Sequence, residues 1–265
     1  METGRTRAGS MTSVSSAGLE HVLTLARNVA ALGEGIGLPF VAVSHDIAGA
    51  APMMGPDGRP LAETVFRWVD PSLKYWTDRA FALRASFVHA ARCCAEPFWY
   101  GHGRFGTWRP MPVLEAIDAG PVGEVFGVTG AIMAPAYLPG GVIGAVCWAT
   151  NDPALEVEAI FAGHAAELHA AALRLIGAYH DALAGARPAP RLTRREIQCL
   201  KWAAAGKTDS EVGQIMHISL PTVRFHIRNA AEKMQVFGRA QATHRAAVLG
   251  YVSGGPTSGP APAGP

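Results

Sequence analysis

The chain is expected to be α+β: an N-terminal α/β/α sandwich, with an antiparallel sheet flanked by helices, followed by an all-α head of four helices. Three observations carry this expectation. Helical and strand-like periods do not alternate strictly before residue 184, which argues against a doubly wound parallel sheet. Two apolar runs, 130–138 and 142–150, are separated by Pro139-Gly140-Gly141, and glycine supplies the positive φ that a tight hairpin needs. From residue 192 onward only helical periodicity remains, punctuated by helix-capping patterns.

Each element follows from its residues. Leu19, Val22, Leu23, Ala26, Val29 and Ala30 fall on one stripe, so 19–32 should be helical. Phe40-Val-Ala-Val-Ser44 reads as a strand, and the Ala-rich stretch 80–95 as a helix. Pro97-Phe-Trp-Tyr100 is strand-like and is broken by Gly101, Gly103 and Gly106. A helix over 113–124 would be interrupted at Gly120-Pro121. A long Ala/Leu-rich helix is expected over 152–184, with Asn151 or Asp152 as N-cap and Pro153 in its first position.

Of the 265 residues, 49% are hydrophobic and 17% charged, which suffices to fill a core and excludes a wholly disordered chain. No apolar run approaches the roughly 18 residues of a spanning helix. The polar stretch Met1–Ser16 lacks the apolar segment of a secretory signal. Cys93, Cys94, Cys147 and Cys199 match neither a disulfide framework nor a zinc site. A reduced, soluble, cytoplasmic protein without membrane contact is the expectation. Composition divides the chain into a tail (1–17), a folded domain (18–184), a Pro-containing linker (185–191), a second domain (192–252) and a Gly/Pro-rich tail (253–265).

Charge is unevenly spread. Between Pro190 and Val252 ten Lys/Arg face four Asp/Glu, a surplus of six in a chain whose net charge is only +2. Such asymmetry points to double-stranded nucleic acid as partner of the basic half.

Thr193-Arg-Arg-Glu196 and Thr208-Asp-Ser-Glu211 are capping boxes, and Gly206 closes the helix between them. Val212, Ile215 and Met216 should face inward from the second helix. Ser219 caps a third helix, with Pro221 in its first turn. Its buried stripe would be Val223, Ile227, Ala230, Ala231 and Met234; its outer stripe holds Arg224, Phe225, Arg228 and Asn229. A fourth helix is expected over 239–249. Two helices joined by a short turn, the second with a basic outer face, describe a helix-turn-helix DNA reader. The competing reading is a small basic bundle with solvated arginines.

Residues 192–251 resemble the DNA-binding domain of the LuxR family of bacterial transcription regulators. The resemblance rests on Leu192-Thr-x-x-Glu196, Leu200, Trp202, Gly206-Lys-Thr208, Glu211, Ile215, Ile218-Ser-x-x-Thr222-Val223, His226, Asn229, Lys233, Val236-x-x-Arg239-Ala-Gln-Ala242 and Leu249-Gly250. It implies base contacts from Arg224, Phe225 and Arg228, and backbone contacts from Lys207, Thr208, Thr222 and Lys233. His226 reads as a packing or phosphate-contacting residue, since no carboxylate or nucleophile accompanies it in sequence.

The N-terminal domain is similar to the branch of that family that binds acylated homoserine lactones. The resemblance rests on layout, on Pro97-Phe-x-Tyr100, on Gly127-Val128 through Pro135 and on Gly140–Gly144. Counted from Tyr100, the family's ligand-contacting Asp falls on Ala85, its Tyr on Trp76, its Trp on Ser72 and a later Gly on Ala131. Asp78 stands in for the missing acid if a gap is allowed. Candidate ligand residues are Trp68, Trp76, Asp78, Trp99, Tyr100 and Tyr137; for each ring the competing reading is plain core. The resemblance implies a homodimeric regulator controlled by a small-molecule quorum-sensing signal such as an acyl-homoserine lactone. It needs no cofactor, and RNA polymerase is a candidate partner. The alternative is an orphan regulator that uses its N-terminal domain for dimerisation or protein contacts. No Ser/His/Asp order, Walker loop or metal-ligand cluster speaks for an enzyme.

Overall fold

The computed structural model describes residues 16–49, 51–70, 72, 85–120, 122–184 and 190–253. Most of both expected tails and the linker residues 185–189 lie outside them. The described chain forms two compact units, separated between the long helix and the Pro-rich segment.

In the N-terminal unit, α1 (Ser16–Gly35) begins inside the stretch expected to be a tail. After it come β1 (Phe40–Ser44), α2 (Leu61–Thr64), α3 (Ser86–Cys93), β2 (Phe98–Gly101), β3 (Arg104–Gly106), α4 (Pro112–Glu115), α5 (Val122–Phe126), β4 (Gly130–Tyr137), β5 (Ile143–Thr150) and α6 (Val157–Ala184). The strands form one antiparallel sheet in the order β1-β5-β4-β2-β3. The β4–β5 hairpin turns through Gly140 and Gly141, at φ 97° and 76°. The helix expected over 113–124 with a break at Gly120-Pro121 is two short helices, and between them the Asp118 carboxylate accepts the Gly120 N–H (3.0 Å) and turns the chain.

Both faces of the sheet are covered, so β4 and β5 are buried on nearly every residue rather than alternately. Ile132, Ala134, Val146, Trp148 and Trp99 point to one core with α1 and α6. Their neighbours Ala131, Met133, Cys147, Ala149, Phe98 and Tyr100 point to the other, with Phe87, Leu114 and Val122 from α3, α4 and α5. The expected α/β/α sandwich is therefore the fold. On α6, Val157, Phe161, Ala165, Leu168, Ala172, Leu175, Ile176 and Tyr179 make one buried stripe.

The long helix starts later than its capping pattern suggests. Asp152 accepts the Ala154 N–H at 2.9 Å, and the Thr150 hydroxyl accepts the Asp152 N–H at 3.1 Å. These side chains close a local turn, and the helix begins only at Val157. No helix among the described residues is long and apolar enough to cross a membrane.

The C-terminal unit is four helices: α7 (Arg194–Ala204), α8 (Asp209–Met216), α9 (Leu220–Lys233) and α10 (Gly238–Val248). Cys199, Leu200, Val212, Val223, Ile227, Ala230, Ala231, Met234, Ala242 and Ala246 form its core. The turn between α8 and α9 needs Gly213, where a Cβ would lie 2.9 Å from the Ile218 carbonyl oxygen.

Candidate nucleic-acid interface

The outer face of α9 is set by its cap. Ser219 accepts the Thr222 N–H (3.3 Å), and its hydroxyl bonds the Thr222 hydroxyl at 2.7 Å. Pro221 loses nothing in the first turn, where its missing N–H has no helical partner. Val223, Ile227, Ala230, Ala231 and Met234 then turn inward as expected. That leaves Arg224, Phe225 and Arg228 outward, with the two arginine side chains 68% and 67% exposed. Phe225 is also exposed; the Arg228 guanidinium lies 5.8 Å from its ring centre, and the His226 ring packs edge-on to it. A cationic arm laid on an aromatic face is held loosely enough to swing onto a base edge.

Arg228 pairs with Glu232 at 3.9 Å and Arg224 with Asp209 at 3.6 Å. With both partners exposed, the Arg228–Glu232 pair contributes little and exchanges readily for phosphate or base, whereas Asp209 is only 22% exposed. Arg224 and Arg228 stand one turn apart, on a helix of about 21 Å at 1.5 Å per residue. The basic face thus fits a major groove about 12 Å wide.

Thr208 and Lys207 frame the start of α8. Thr208 accepts the Glu211 N–H, and Glu211 in return accepts the Thr208 N–H and hydroxyl at 2.8 Å each. These bonds, with Lys207 at 3.7 Å, hold the Glu211 carboxyl below its usual pKa. The Thr208 and Thr222 hydroxyls are therefore both committed to helix starts. What these termini offer a phosphate is their free N–H groups and dipole.

Two expectations meet a different arrangement. Val212 is buried as expected, but Ile215 is 40% exposed, because the short α8 turns Gly213 to the core in its place. Lys233 is paired within the unit: its ammonium donates to both carboxylate oxygens of Glu196 at 2.8 Å. The Glu196 side chain is only 4% exposed, and it also accepts the Thr193 N–H at 2.7 Å in the first capping box. Burial alone would raise the Glu196 carboxyl; the bonds from Lys233 and Thr193 outweigh it and hold the carboxyl low. Nothing local links residues 196 and 233, so the sequence carried no sign of this brace.

The second feature missed is Asp209. Its Oδ2 faces Arg224, and its buried Oδ1 lies 3.1 Å from Nε of Arg239 on α10. The latter contact is off the donor axis, an ion pair rather than a hydrogen bond. Arg239 also donates to the Lys207 carbonyl. At the first position of α8, Asp209 reads from sequence only as an acid suited to a helix start.

In the N-terminal unit the candidate ligand residues separate. Trp76 and Asp78 lie outside the described residues. Trp68 is buried and its indole N–H donates to the Phe126 carbonyl at 3.2 Å. Tyr100 lies in the same core, in a ring cluster with Phe87 (5.8 Å) and Phe105 (5.8 Å). Trp99, its neighbour, points through the sheet into the other core, under the Arg104 guanidinium at 4.7 Å. Adjacent residues on a strand cannot line one pocket, so Trp99 and Tyr100 do not act together. Tyr137 is 43% exposed and its hydroxyl donates to the Ala91 carbonyl near the end of α3 (2.7 Å). A cleft of about 620 Å³ opens between α1 and residues 55–65, beside Glu20, Arg27 and Asp57; none of these candidate residues lines it.

Residues 190–246 match the bacterial regulatory proteins, luxR family. Over 68 residues the chain is 44% identical to the transcriptional activator protein VanR of Vibrio anguillarum, covering 26% of this chain and 28% of that one. Over 121 residues it is 34% identical to the transcriptional activator protein PhzR of Pseudomonas fluorescens, covering 44% and 49%. Against the HTH-type quorum sensing-dependent transcriptional regulator RpaR of Rhodopseudomonas palustris it is 41% identical over 87 residues, 31% and 36% of the two chains. The matched stretches thus span less than half the length of these relatives. The crystal structure of Escherichia coli SdiA is similar in fold, with a TM-score of 0.50 at 17% identity, covering 88% of this chain and 91% of that one.

Proposed function

Since residues 190–246 match the luxR family of bacterial regulatory proteins, we propose that this protein is a sequence-specific DNA-binding transcription regulator of the cytoplasm. The observation that carries the reading is the outer face of α9, where Arg224, Phe225 and Arg228 stand exposed beyond the Ser219 cap. Arg224 and Arg228 read base edges, Phe225 packs against a thymine methyl, and the amides at the starts of α8 and α9, with Lys207, take phosphates. A homodimer sets two such helices about 34 Å apart on a palindromic operator, with RNA polymerase as the downstream contact.

Arg228→Ala is expected to cost about 1–3 kcal/mol at the preferred site and to relax discrimination at one base pair. Binding to a randomised duplex pool, sequenced before and after selection at several salt concentrations, checks this. An equal loss on all sequences would assign Arg228 to phosphate instead.

The N-terminal unit is the sensor for a small quorum-sensing signal of acyl-homoserine lactone type, a reading supported by the names of the relatives and by the SdiA-like fold. A specific observation favours a second reading, an orphan regulator. Ala85 stands where the family's ligand-binding acid falls, and Phe87, Tyr100, Phe105 and Phe126 pack ring on ring in the core beside it. Thermal unfolding with a series of acyl-homoserine lactones separates the two. A ligand at a hundredfold over its Kd adds about 2.7 kcal/mol of stability. A shift with one chain length supports the sensor; no shift with any supports the orphan.

A further inference from the structure

Resting on the DNA-reading role of α9, we propose that Asp209 is a positioning residue for base recognition. Its carboxylate holds Arg224 by the Nε side, so that the paired Nη nitrogens face the groove and read a guanine.

Three features of the site lead there. Asp209 opens α8, yet its side chain reaches two other helices: Oδ2 lies 3.6 Å from Nε of Arg224 on α9, and Oδ1 lies 3.1 Å from Nε of Arg239 on α10. The Asp209 side chain is 22% exposed, whereas that of Arg224 is 68% exposed. The acid is thus seated in the unit and the arginine projects from it. Arg239 in turn is anchored by its bond to the Lys207 carbonyl, and Asp209 is seated by its place at the start of α8.

Chemistry selects the edge. A guanidinium offers Nε–H on its inner side and two Nη groups at its end. With Nε turned to Asp209, the Nη pair is left to bond O6 and N7 of guanine in the major groove, the commonest specific contact of arginine. An arginine free to rotate would meet phosphates on either side of the groove as readily as bases. The same carboxylate repels phosphate, so it penalises placements of Arg224 that are out of register with the base pair. Asp209 therefore acts on discrimination more than on affinity.

The test uses the full chain and a randomised duplex pool, sequenced before and after selection. Arg224→Ala should flatten the preference at one G·C pair about tenfold to a hundredfold. Asp209→Asn and Asp209→Ser, both compatible with a helix start, should weaken the preference at that same pair about three- to fivefold and leave the other positions as they are. In the Arg224→Ala background neither Asp209 substitution should alter the preference further. Arg239→Gln removes the other half of the cluster; it should lower the unfolding temperature and keep the preference for that guanine. The proposal falls if Asp209→Asn selects the wild-type pattern, if it weakens all positions alike, or if Arg239→Gln flattens the same pair to the same degree. If the wild-type chain itself enriches no sequence, the DNA-reading role fails first and this one with it. A wild type that enriches a sequence that Asp209→Asn leaves untouched overturns the positioning role alone.

Discussion

Replacing Lys233 by alanine is expected to destabilise the C-terminal unit by about 2–4 kcal/mol, chiefly because it strands the carboxylate of Glu196 in the interior. Glu196 is 4% exposed, while Lys233 retains 39% exposure, so water reaches one side of the pair and holds the cost below that of a fully buried one. Replacing Glu196 and Lys233 together by apolar residues of similar size should recover most of the loss, since no charge is then left unpaired. Hydrogen exchange in peptides from α9 of the full chain measures the effect on this unit alone. A phosphate contact predicts something else: unchanged exchange, and a salt slope of DNA binding shallower by about 0.9. That result would return Lys233 to the interface.

The same pair sets an acid limit. The folded-state pKa of Glu196 lies below the ordinary value of 4.5, because the bonds from Lys233 and Thr193 outweigh desolvation. Its contribution to stability is therefore fully present above that ordinary value, and it is lost as the pH falls through the lower folded-state value. In Lys233→Ala only the bonds from Thr193 oppose desolvation, so the stability lost on acidification should be smaller than in the wild type.

The second large effect is expected at Trp148. It is fully buried on β5, and its indole N–H donates to the Val29 carbonyl of α1 at 2.9 Å. Gly33 makes room for it: a Cβ there would lie 2.6 Å from Trp148 Cδ1 and 2.5 Å from the Leu38 carbonyl oxygen. Trp148→Ala should cost the N-terminal unit about 3–5 kcal/mol, from lost burial and the cavity left behind. Trp148→Phe should cost less, since it keeps most of the ring volume and gives up the hydrogen bond. Urea unfolding of the variants checks both; a loss under about 1 kcal/mol for alanine would mean that α1 is held to the sheet by other contacts.

Much of the C-terminal helical unit is legible without coordinates, because its determinants are local. Thr193 with Glu196 and Thr208 with Glu211 are bonds across three residues, and Ser219 with Thr222 is another. The buried stripe from Val223 to Met234 follows from a period of 3.6 alone. The β4–β5 hairpin is equally local, since Gly140 and Gly141 allow the turn that the apolar runs on either side require.

Asp152, expected to cap the long helix, closes a local turn instead, and the helix starts at Val157. An Asx turn and an N-cap use the same oxygen, and the backbone that follows decides between them. Sequence alone therefore determined the main element types, the hairpin, the helix caps of the C-terminal unit and the basic outer face of α9, all of which depend on neighbours a few residues away. Tertiary structure alone decided that Trp99 and Tyr100 enter different cores, that Lys233 braces Glu196, and that Asp209 joins α8 to α9 and α10. Each of those pairings depends on where folding brings segments that are distant along the chain, and on which of several polar partners burial leaves within reach.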